Sequence, residues 1–183
     1  EVYNPGLDKP VILNKVLSEV YEKNHIDKSI QPGDELIILG CPVMNVGDVA
    51  TKLAGGALNT SFDHEHHKGI DLLDITQVDM QNRAQNVINA CAELEDNPIS
   101  VVEALGEGGL TRALLYILKA DKEQSYGFHI QLRNIHAIRK NFTATQLWGS
   151  EMQERYLIIC PASKMQKLFH YADREQCPYT TIG

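Results

Sequence analysis

Apolar positions along the chain fall into three kinds of run, and each kind predicts a different element. Leu36-Ile37-Ile38-Leu39 and Leu157-Ile158-Ile159-Cys160 are unbroken, with no polar alternation, as expected of strands covered on both faces. Gln31-Pro32-Gly33-Asp34 precedes the first with Pro and Gly at the centre of a type II turn, and Gly40-Cys41-Pro42 ends it. Pro161 closes the second. In 79–95, Met80, Ala84, Val87, Ile88, Cys91 and Leu94 recur every three or four residues, which predicts an amphipathic helix stopped by Asn97-Pro98. Leu110, Leu114, Ile117 and Leu118 mark a second helix, and Met165, Leu168, Phe169 and Ala172 a third. Strict alternation of Phe128, Ile130 and Leu132 with His129, Gln131 and Arg133 predicts a strand with one wet face.

Between the first two helices, Ile99-Ser100-Val101-Val102 reads as a strand that breaks at Gly106, Gly108 and Gly109 and resumes as helix. Short strands are predicted at Val11-Ile12-Leu13 and, after Cys177-Pro178, at 179–182, while 14–21 stays ambiguous between helix and extended chain. A long irregular region runs from Pro42 to about Val78; such loops are uncommon in compact domains and are often functional. Strands and helices alternate over the second half. The predicted class is therefore α+β with an α/β-like order, a mixed sheet flanked by helices.

The 183 residues fit a single domain over 1–183, with 1–30 as a candidate peripheral segment. A formal charge of −7 argues against non-specific nucleic-acid binding, which needs a surplus of lysine and arginine. No apolar run approaches the ~20 residues of a membrane span, and Glu1-Val2-Tyr3-Asn4 opens no signal peptide, so the expected location is the cytoplasm. The cysteines Cys41, Cys91, Cys160 and Cys177 have no CxxC spacing and sit in apolar runs, which predicts buried free thiols.

Three stretches carry candidate chemistry. At 106–109 a helix amino terminus faces a glycine turn, where free N–H groups and the helix dipole can hold an anion. Glu103 and Glu107 repel one, and that favours a turn which only packs helix on sheet. Asp63-His64-Glu65-His66-His67 has metal-ligand residue types but no apolar frame, so it reads as a solvated loop and no metal site is assigned. No HExxH, P-loop or GxSxG pattern is present, and neither Ser100 nor Ser150 has an identifiable base; no catalytic residue is assigned. In 148–156, Glu154 and Arg155 read as ordinary strand-entry charges and Trp148 as a core anchor. Alternatively, Glu151 and Gln153, two apart in extended chain, offer a carboxylate and an amide to one hydroxylated ligand.

Ser150-Glu151-Met152-Gln153-Glu154-Arg155-Tyr156 ahead of an apolar strand resembles the Glu-Ser-Gln-Glu-Arg-Tyr signature of the phosphoribosylformylglycinamidine synthase family of purine biosynthesis. The stretch 33–47, the Leu53-Ala54-Gly55-Gly56-Ala57 loop, 101–110 and 178–183 resemble other segments of that family in the same order. The resemblance implies a carboxy-terminal-type domain of the aminoimidazole ribonucleotide synthetase superfamily. It also implies a parent ligase in which ATP activates the formylglycinamide oxygen and ammonia from a glutaminase domain displaces the phosphate.

Neither the ATP-binding half nor the glutaminase is encoded in these residues, so the chain resembles a fragment or relic of a larger synthase, inactive alone and binding no cofactor alone. ATP and magnesium belong to the parent, and the implied partners are its remaining domains and a small-molecule substrate. The implied substrate contacts are Glu151, Gln153 and the glutamine before the long helix; that glutamine is Gln77 if three residues are deleted, whereas Asp74 takes the place without a gap. Arg155 would face the same way as Gln153 and offset Glu151 and Glu107. Two departures stand out: Glu103-Ala104 replaces a His-Asp pair whose aspartate holds magnesium in relatives, and Met152 replaces the signature serine. The competing expectation is a non-catalytic structural or subunit-contact domain.

Overall fold

A computed structural model describes residues 19, 26, 30–43, 78–106, 108–120, 126–137, 142–150 and 152–183. The predicted strand at 11–13, the glycine loop at 53–57 and the histidine cluster at 63–67 lie outside these residues. Among the described residues four strands form one sheet. They are β1 (Asp34–Gly40), β2 (Val101–Leu105), β3 (Arg155–Pro161) and β4 (Tyr179–Thr181), ordered β2-β3-β1-β4. All three ladders are antiparallel, so the described sheet is antiparallel where a mixed one was expected; a single parallel bridge, between Val43 and Ala137, lies outside its strands.

The two unbroken apolar runs occupy the middle of the sheet because only there are both faces covered. Leu36, Ile38, Leu157 and Ile159 pack on one side against Leu110, Ala113, Leu114 and Ile117 of α2 (Gly109–Ala120). On the other side Ile37, Leu39, Ile158 and Cys160 meet Ala84, Val87, Ile88 and Cys91 of α1 (Val78–Ala92) and Leu168 and Ala172 of α4 (Met165–Arg174). Ala113 takes the buried place expected of Leu118, which is only half-buried. All four cysteines are buried free thiols. At the turn into β1, Gly33 has φ +91° and Asp34 N–H donates to Gln31 O at 3.0 Å, as the Pro-Gly pair requires.

The alternating segment 126–133 is not a strand. Residues 126–131 are irregular and lead into a 3₁₀ turn, Leu132–Asn134. Phe128, Ile130 and Leu132 do turn inward against the α2-side core, so the alternation identified the correct side chains. A ladder also needs successive backbone bonds, and here the bond to the sheet's end runs from Gln131 N–H to Ile182 O. A short helix, α3 (Ala144–Trp148), was not predicted, although Thr143 and Gln146 form a reciprocal capping box.

Candidate functional site at one end of the sheet

Because β2 and β3 are antiparallel with Leu105 opposite Arg155, the glycine turn leaving β2 and the segment entering β3 emerge at the same end of the sheet. They touch. Gly109, at the head of α2, has φ +55°, and a Cβ there would come within 2.9 Å of both the Trp148 and Ser150 carbonyl oxygens. Gly108 has φ +76° and packs on the Arg112 stem, whereas Gly106 has open space where a side chain would be. Gly109 is thus committed to packing.

The chain bends at Glu154 as it enters the sheet. Glu154 takes φ +57°, its carbonyl accepts from Cys41 N–H at 3.0 Å, and Gly40 is the residue whose missing Cβ leaves room for that carbonyl. This left-handed residue breaks the alternation on which the predicted common orientation of Gln153 and Arg155 depended. Gln153 is exposed, but Arg155 is only 2% exposed and turns back beneath the segment. Its Nε donates to Met152 O at 3.0 Å, and its Nη2 donates to Ser150 O at 2.8 Å and Ser150 Oγ at 3.1 Å. Arg155 is therefore neither a solvated strand-entry charge nor a surface counter-ion for Glu151 and Glu107. Burial draws its pKa down to about 10, and the adjacent Cys41 thiol is pushed up by burial against the opposing pull of that guanidinium. Burial also raises the Glu154 carboxyl.

Across the sheet from α2, the first turns of α1 reach the same end. Gln81 Nε2 donates to the Tyr156 hydroxyl at 2.5 Å, and that hydroxyl faces Gln85 Oε1 at 3.4 Å. Tyr156 pairs with Ala104, so an amide–phenol cluster borders the position where the resemblance puts an aspartate. Ala104 is exposed and offers a methyl group, and Glu103 lies on the opposite face of β2, opposite Leu157 in the ladder. Among the described residues no three His, Cys, Asp or Glu side chains form a group able to hold a metal. Among the described residues nothing at this end of β2 replaces that aspartate as a ligand for magnesium. Gln77 and Glu151 lie outside the described residues. A concavity of about 600 Å³ at the far edge, bordered by Arg133, His136, Phe142 and Tyr179, contains none of the predicted site residues.

Residues 31–183 match the family described as AIR synthase related protein, C-terminal domain. The chain belongs to that family. It is 30% identical over 180 residues to phosphoribosylformylglycinamidine synthase of Schizosaccharomyces pombe, covering 97% of this chain and 13% of that protein. Among solved structures, the PurL of Thermotoga maritima complexed with ATP superposes with a TM-score of 0.66 at 14% identity, covering 89% of this chain and 23% of that one. The same protein complexed with FGAR gives 0.65 at 14% identity, covering 88% and 25%. These likenesses show that the sheet and helices described above are those of an AIR synthase related C-terminal domain. The chain spans a small part of each relative. Among the described residues no helix is long and apolar enough to cross a membrane.

Two features of this family member escaped the sequence reading: the buried Arg155 and the Tyr156–Gln81 pair. A cation at the first position of an apolar strand was the available signal for Arg155. Nothing local marks Gln81.

Proposed function

We propose that this chain is the substrate-side domain of a phosphoribosylformylglycinamidine synthase, a cytoplasmic ligase that converts FGAR to the amidine with ATP and glutamine. The observation that supports this most is the meeting of the 106–109 turn with the 148–154 segment at one end of the sheet, with Gln153 exposed beside it. Gln153 and Glu151 supply an amide and a carboxylate for the hydroxyl and amide groups of the substrate, Gln77 a further amide, and the backbone around Gly106 and Gly108 a contact for an anionic group. The Gly109 position is reserved for packing. In the parent, ATP activates the amide oxygen and ammonia displaces the phosphate. The ATP-binding half, its magnesium and the glutaminase belong to the rest of the synthase, of which this chain corresponds to 13% in the S. pombe relative. This chain's own residues bind and orient.

The replacement of the expected aspartate by Ala104 favours a second reading, a non-catalytic structural or subunit-contact domain. Turnover by the full-length parent distinguishes the two. The first reading expects glutamine- and FGAR-dependent release of phosphate from ATP, and Gln153→Ala lowering kcat/KM by the equivalent of about 1–3 kcal/mol, the loss typical of an unmade buried polar contact. A parent without FGAR-dependent turnover supports the second. The isolated 183-residue chain is expected to bind no ATP at micromolar concentration by calorimetry.

A further inference from the structure

We infer that Arg155 is a positioning residue that holds Ser150 and Met152–Glu154 in the form that presents Gln153. The inference rests on the reading that Gln153 contacts substrate. The guanidinium is a planar fork whose donors keep fixed directions, and it reaches the carbonyls of Ser150 and Met152 together with the Ser150 hydroxyl. Two carbonyls held by one rigid plane are fixed in separation and in orientation. A third, that of Glu154, is held by Cys41 N–H. The carbonyls of alternate residues 150, 152 and 154 are all engaged from the protein side, and Gln153 is left facing outward.

Energetically this is an odd place for a cation. Among the described residues its partners are neutral oxygens, no carboxylate pairs with it, and a buried charge so held is costly compared with an apolar side chain of similar volume. An apolar residue would fill the space and leave the loop carbonyls without donors. What the arginine adds is therefore a defined loop geometry. Displacement of a binding group by about 1 Å is enough to cost on the order of a hundredfold in rate.

The test uses the full-length synthase with Arg155→Met, Arg155→Lys and Gln153→Ala. Readouts are amide hydrogen exchange across 149–154 and KM for FGAR and for ATP. Arg155→Met should speed exchange of the loop and raise KM for FGAR by about tenfold to a hundredfold, leaving KM for ATP unchanged. Arg155→Lys keeps the charge and the stem, but a single ammonium cannot span both carbonyls; it should show the same split, and it serves if the Met variant does not accumulate folded protein. Unchanged loop exchange in the folded variants, or equal changes in both KM values, overturns the positioning role. Faster loop exchange with Gln153→Ala leaving KM for FGAR unaltered keeps the clamp but removes the substrate reading of Gln153.

Discussion

Substituting Gly109 by alanine tests whether the glycine turn and the 148–154 segment are as closely joined as described. Two costs combine. An L-residue at φ +55° gives up roughly 1–2 kcal/mol in the left-handed region. The new Cβ would also lie 2.9 Å from two backbone carbonyl oxygens and 3.0 Å from the Gly149 carbonyl carbon, and neither carbonyl belongs to a flexible side chain that can swing away. Forcing an extra carbon into such a contact costs about 1–3 kcal/mol. Against these stands a gain of about 0.4–1 kcal/mol from a stiffer unfolded chain. The net expectation is a loss of about 1–4 kcal/mol. Gly33→Ala is the control: its φ is +91°, but no atom lies within 4 Å of the added carbon, so only the dihedral cost and the same unfolded-state gain apply. Since φ +91° is further from the left-handed minimum than +55°, the dihedral cost at Gly33 is at least as large, and any excess loss at Gly109 is a lower bound on the steric part. Trp148, the chain's only tryptophan, contributes one of the two carbonyls, so its fluorescence during urea unfolding of the 183-residue chain reports from the contact itself. If Gly109→Ala costs less than about 1 kcal/mol, with unchanged slope, the close approach is refuted.

Ile158→Ala, at a side chain with no exposure, should cost about 2–5 kcal/mol in urea unfolding, and Leu115→Ala on the exposed face of α2 less than about 0.5 kcal/mol; similar losses at both would contradict the two-faced packing. Hydrogen bonds from Lys164 and Lys167 lower the Asp96 carboxyl from 3.8 to about 2, so whatever this exposed cluster contributes is complete above about pH 4 and is lost as pH falls toward 2; carboxyl NMR should place the Asp96 midpoint near 2, and one near 4 would dissolve the cluster. Burial pushes the Cys91 thiol to about 11 and Cys177 to about 12, so a thiol reagent at pH 8 should titrate neither in the native chain and all four cysteines in denaturant; rapid native titration of Cys177 would show that α4 and β4 do not cover it.

The central strands were legible because each face must be covered by something, and unbroken apolar runs bounded by Pro and Gly have no other economical place. The α1 and α2 stripes were legible for a related reason, a helix on a sheet needing one apolar face. Ladder order was not readable: Leu105 meets Arg155 through contacts between residues far apart in sequence, and no local pattern encodes them. The same non-locality hid the candidate site. Its two halves, the glycine turn and the 150–156 stretch, were each visible as candidates, but their junction depends on the β2–β3 pairing. Orientation within the second half failed at one residue, since Glu154 adopts a left-handed conformation that its residue type does not announce. With alternation broken there, Arg155 went under the loop instead of beside Gln153. The 126–133 segment failed differently, because side-chain alternation reports which residues face inward but not whether the backbone finds a ladder.

The sheet's connectivity also sets an order of events during folding. β1 sits between β3 and β4, so its edges are satisfied only by residues that leave the ribosome long after it, in pairs from Gly40↔Arg155 to Asp34↔Pro161 and then at Ile37↔Thr181. Until then its apolar run has two open edges, and only its faces can be covered, by α1 and α2 of the intervening 78–120 unit. Closure of the central strand by the last strands is consequently a late, long-range step, the kind that sets slow folding rates and leaves an exposed β segment available to the wrong partner. In the parent synthase proposed above, that interval is when a chaperone would be most useful.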